Sequence, residues 1–81
     1  EIRLERALES RNYSISIPPE MVEIENIEKI LTQHKLRFFH ESLTRQSDRL
    51  VCVWGVIGPP QRHETLIRAL MDNPKVIEFG Y

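Results

Sequence analysis

Two apolar-rich runs, residues 36–45 and 49–58, separated only by the polar tetrad Gln46, Ser47, Asp48 and Arg49, constrain this chain more than any other feature. Aromatic and β-branched residues favour a pleated, half-buried backbone, and a short polar break between two such runs turns one strand back on the other. Pairing Gln46 with Arg49 places Leu43 opposite Cys52, Glu41 opposite Trp54 and Phe39 opposite Val56. One face of the hairpin then carries Phe39, Leu43, Leu50, Cys52, Trp54 and Val56, and the other Leu36, Phe38, Val51, Val53 and Ile57. Neither face is polar enough to be simply solvated. One is expected to pack helices and the other to meet a partner.

The flanking segments supply those helices. Tyr13, Ser14, Ile15, Ser16 and Ile17 alternate apolar and polar with period two, and Pro18 and Pro19 end the strand because neither can donate to a ladder. Over residues 20–34, Ile24, Ile27, Ile30 and Leu31 recur at three- and four-residue steps, with glutamates early and Lys29, His34 and Lys35 late, the polarity a helix dipole favours. Gly58 and Pro59 break the third strand and Pro60 opens a second helix with an apolar stripe of Leu66, Ile67, Leu70 and Met71. Asp72, Asn73 and Pro74 end it, and residues 76–81 read as a closing strand. Strand, helix, strand, strand, helix, strand predicts an α+β, ferredoxin-like βαββαβ fold: a four-stranded antiparallel sheet with both helices on one face. A βαββα domain with an irregular tail is the alternative. Residues 1–11, with Ile2, Leu4, Ala7 and Leu8 among charges, read as a short helix or linker, and residues 12–81 as the domain.

A chain of 81 residues is one domain with a small core, so self-association or docking on a neighbour is expected to add to its burial. Eleven basic against twelve acidic residues lack the positive footprint that nucleic acids require. The single cysteine, Cys52, lies between valines as a small hydrophobe. The apolar run at residues 50–57 is far shorter than the ~20 residues of a membrane-spanning helix. The chain opens at Glu1 with no signal-peptide pattern and is expected to be a piece of something longer.

Catalytic patterns are missing from the sequence. His34, His40, His63 and Cys52 form no C-x-x-C or H-x-x-x-H pair, so neither a metal nor another cofactor is expected. Glu20, Glu23, Glu25 and Glu28 resemble a solvated helix face more than a magnesium site. No serine sits in a G-x-S-x-G elbow, and Gly55, Gly58 and Gly80 never cluster into a phosphate-cradling loop. The chain is therefore expected not to be an enzyme. Trp54 must either fill the core or anchor a partner, and with Phe39 and Val56 beside it, it marks a candidate self-association surface.

Val53, Trp54, Gly55, Val56, Ile57, Gly58 and Pro59, followed by His63, Glu64, Thr65, Leu66, Ile67, Leu70, Pro74, Val76, Phe79 and Tyr81, resemble the C-terminal soluble domain of the MgtC/SapB family of bacterial inner-membrane proteins. Leu4, Glu5, Arg6, Ala7 and Leu8 are similar to the charged stretch after that family's last membrane helix. The resemblance implies an ACT-like regulatory domain on the cytoplasmic side of the inner membrane, in a protein linked to magnesium limitation, acid adaptation and virulence. It implies an upstream membrane domain as partner, alongside a homodimer, and no membrane insertion by residues 1–81 themselves. ACT domains that sense amino acids place a glycine-containing loop after their first strand. Here Ile17, Pro18, Pro19 and Glu20 stand there, without glycine and with few N–H donors. A sensor of an amino acid or Mg²⁺, at this loop or a dimer seam, is the alternative function.

Overall fold

The computed structural model describes residues 7–81. Its elements are β1 (Glu9–Ile17), α1 (Met21–Gln33), β2 (Arg37–Gln46), β3 (Arg49–Gly58), α2 (Pro60–Met71) and β4 (Glu78–Gly80). The sheet is antiparallel with order β2-β3-β1-β4, the ferredoxin-like arrangement expected from the sequence.

Period-two alternation sorts β1 and β3 between the two sheet faces. Tyr13, Ile15 and Ile17 pair with Trp54, Cys52 and Leu50, and all six are buried beside Ile24, Ile27 and Leu31 of α1 and Leu66 and Leu70 of α2. Ser14 and Ser16 pair with Val53 and Val51 on the opposite, helix-free face. β1 starts at Glu9, so Glu9, Ser10 and Arg11 are strand where a linker or short helix was expected. Ala7 and Leu8 are exposed and in neither helix nor strand, and residues 1–6 lie outside the described residues.

The β2–β3 register holds from Gln46–Arg49 to Leu43–Cys52 and then slips. A β-bulge between His40 and Ser42 inserts Glu41, so His40 pairs with Trp54, Phe39 with Gly55 and Phe38 with Val56. This corrects the expected facing of β2. Phe39 moves to the helix-free face, while Leu36 and Phe38 move to the core side, Leu36 buried and Phe38 partly so. The physical reason is steric: a Cβ on Gly55 would lie 2.5 Å from Phe39 Cζ, so the missing side chain is the space that the Phe39 ring occupies.

α1 ends in a Schellman motif with a lysine where glycine usually sits. Lys35 has φ 57°, its N–H donates to the Thr32 carbonyl at 2.9 Å, and the Leu36 N–H donates to the Leu31 carbonyl at 3.1 Å. His34 adds an Nδ1–H bond to the Ile30 carbonyl at 2.9 Å. An L side chain in this left-handed conformation costs energy that glycine does not. Lys35→Gly is therefore expected to stabilise the fold by about 0.5–1 kcal/mol, raising Tm by roughly 5 °C. A calorimetric scan showing a lower Tm would contradict the assignment of this motif.

α2 opens on Pro60 and buries His63, Leu66 and Leu70. Met71, expected in its stripe, is exposed, because the helix ends there as the chain turns toward β4. That closing strand is shorter than expected: Asn73 Oδ1 accepts from the Lys75 N–H at 2.9 Å, holding residues 73–75 in a turn, and ladder pairing is limited to Glu78–Gly80.

Candidate functional site

Trp54, for which filling the core is the favoured of the two readings, and Val56, grouped with it and Phe39 as a candidate surface, are both 0% exposed and belong to the core. Phe39 is 52% exposed on the other side of the sheet. The bulge is the cause, since a one-residue slip exchanges the two faces of a strand. Trp54 is held from several sides: its Nε1–H donates to Glu28 Oε2 at 2.9 Å and His40 stacks on its ring at 4.9 Å between centroids. A buried indole needs such an acceptor. Glu28 is thus a structural residue of α1, and Glu23, buried against β4's approach, accepts from Asn26 Nδ2 at 3.3 Å and lies 3.9 Å from Lys75 Nζ.

A second polar cluster ties α2 to the start of β1. The Tyr13 hydroxyl and His63 Nδ1 are 2.8 Å apart, and His63 Nε2 lies 2.9 Å from the Glu9 carbonyl oxygen. A carbonyl only accepts, so Nε2–H donates to Glu9, and in that tautomer Nδ1 accepts the Tyr13 O–H. Burial pushes the Tyr13 phenol up, against the lowering effect of Arg11, which keeps the hydroxyl a donor. His63 is thus structural, one of the two roles, structural or surface, that its sequence context favours over metal binding. Its spacing was informative, because positions 63, 66 and 70 share one helical stripe.

The loop considered for a ligand offers little to one. Ile17 is buried in β1, the two prolines have no N–H, and the Glu20 N–H is already bonded to the Pro18 carbonyl at 2.7 Å. Cys52 is buried, and desolvation together with the Glu28 charge pushes its thiol up, the opposite of a reactive thiolate. Among the described residues no three His, Cys, Asp or Glu converge as a metal set, and no helix is long and apolar enough to cross a membrane.

One face of the sheet is free of helices and open to solvent. It carries Val51, Val53 and Ile57 half-buried around Gly55, with Phe39 standing above them and serines of β1 alongside. Near the hairpin end, Ser14, Ser16, Gln46, Arg49 and Glu78 line an open groove of about 330 Å³. On the helix side, Phe38 floors a groove of about 470 Å³ against Glu25, Glu28, Lys29, Thr32 and Gln33 of α1. No family model matches this sequence, and no curated protein matches it either.

Proposed function

We propose that this chain is a non-catalytic regulatory and interaction domain that self-associates through its sheet. In line with the resemblance to the MgtC/SapB family, its place is the cytoplasmic side of a bacterial inner membrane, where it modulates a membrane domain upstream. The observation that carries the self-association reading is the apolar centre of the helix-free face, Val51, Val53 and Ile57 along β3, with an exposed Phe39 over Gly55. A small domain gains burial by covering such a surface. Sedimentation velocity across a micromolar-to-millimolar dilution series is expected to show a reversible rise in mass. Monomer at every concentration would remove self-association from the proposal.

The polar groove beside Arg49 and Glu78 favours a second reading, a sensor of an amino acid or Mg²⁺, because it sets opposite charges and two hydroxyls around one concavity. A ligand bound only by the folded state raises Tm. The absence of any shift across a panel of amino acids and millimolar Mg²⁺ would count against it.

A further inference from the structure

We infer that the helix side of β2 is a docking groove for an amphipathic helix of a partner protein, one whose apolar stripe is flanked by lysine or arginine. The groove lies on the opposite side of the sheet from Val51, Val53 and Ile57, so the inference does not rest on self-association. Val56, Trp54 and Cys52 of β3 point into the core, and their β2 partners Phe38, His40 and Leu43 therefore face the helix layer as well. β2 is the outermost strand, and the helices leave it incompletely covered: Phe38 is partly buried, while His40 and Leu43 are exposed. A row of apolar and aromatic side chains on the helix side of an α+β sheet is a place where a further element packs.

α1 forms one wall of this groove. Glu25 and Glu28, one turn apart, line it over the Phe38 floor, in a volume of about 470 Å³. Met21 is exposed in the same helical stripe, since positions 21, 25 and 28 recur at steps of four and three. β1 ends opposite Leu50, so α1 starts at the hairpin end of the sheet, the end where Leu43 lies. The groove is thus apolar along its floor and at its hairpin end. From Phe38 to Leu43 the strand runs about 16 Å, the length of roughly three helical turns, and side chains standing upright from β2 place the occupant in the helix layer rather than at the strand edge. Charge then selects the partner. The Trp54 Nε1–H donates to Glu28 Oε2 at 2.9 Å and fixes that carboxylate at the wall, and neither Glu25 nor Glu28 makes an ion pair among the described residues. Two carboxylates against one ammonium, that of Lys29, leave the lining acidic. A basic flank on the docked helix complements it, and an acidic flank sets like charges together.

Two blocked peptides of about 14 residues, sharing one leucine stripe and differing only in lysine or glutamate along its flanks, test this on the full 81-residue chain. The lysine peptide is expected to bind at micromolar concentration, to gain helical circular dichroism and to shift amide resonances along α1 and β2. The glutamate peptide is expected to bind about tenfold more weakly or worse. Leu43→Asp and Glu25→Lys, each at an exposed position and each verified as folded, are expected to weaken the lysine peptide about tenfold, and Glu25→Lys to strengthen the glutamate peptide. No binding of the lysine peptide up to millimolar concentration, or binding that neither substitution weakens, would overturn the groove. Equal affinity for the two peptides would overturn the basic partner, and a bound peptide that gains no helicity would overturn the helical one. Shifts centred on Val51 and Val53 would move the contact to the helix-free face and overturn the inference while leaving self-association standing.

Discussion

Trp54→Ala is expected to lower the unfolding free energy by about 4 kcal/mol, as large aromatic truncations in a packed core do. A domain of 81 residues has only about 4–12 kcal/mol in total, so the variant should be largely unfolded or melt on the order of 20 °C lower. The size of the effect follows from position. Trp54 is the largest fully buried side chain, it pairs with Tyr13 across β1 and β3, and its loss also strands the packing of His40. Trp54→Phe separates packing from hydrogen bonding. It keeps most of the ring volume and frees Glu28, which is half-buried and can turn to water, so a smaller loss of about 1–2 kcal/mol is expected. Urea denaturation measures both. An alanine variant within about 1 kcal/mol of wild type would show that Trp54 is not a core residue and would return it to the surface.

His63→Leu is expected to be the second most damaging change, at about 2–3 kcal/mol, although leucine is close in size and more apolar. The reason is what it leaves behind. The Glu9 carbonyl loses the ring N–H, and the buried Tyr13 hydroxyl loses its acceptor and keeps only Arg11 as a polar neighbour. Tyr13→Phe strands only the His63 Nδ1 and is expected to cost about 1–2 kcal/mol. Combining the two replaces both partners by apolar groups, so the double variant should be more stable than the sum of the single losses predicts. A double-mutant cycle by chemical denaturation reads this directly. Strict additivity would mean that the Tyr13–His63 contact contributes nothing as a pair.

The order of elements was legible because each carries a clear period: Tyr13, Ile15 and Ile17 at steps of two, Ile24, Ile27 and Leu31 at steps of three and four. The faces of β2 were not legible in the same way. Phe38 and Phe39 are adjacent aromatics, so alternation requires one to point each way without saying which, and Glu41 has nothing in its chemistry that marks a bulge. The signal lay on the opposite strand, where Gly55 interrupts an otherwise bulky run. A glycine inside a strand marks a close approach, and here what approaches is Phe39. Because β2 itself carries no mark of that slip, simple alternation groups Trp54, Val56 and Phe39 on one surface. The structure divides them, with two in the core and Phe39 outside. A structural or surface role for His63 is legible, but its partner is not, since Tyr13 is 50 residues away and only the packed fold brings them together.

A domain whose buried polar side chains all have partners among the described residues has its outward capacity in the sheet, whose helix-free face sets Val51, Val53 and Ile57 around Gly55 with Phe39 exposed over it. Hydroxyl-radical footprinting at two protein concentrations tests this most directly. The account predicts that Phe39 is modified slowly at high concentration and rapidly on dilution, while Trp54 stays protected at both. Modification of Phe39 that is equally fast at both concentrations would contradict it.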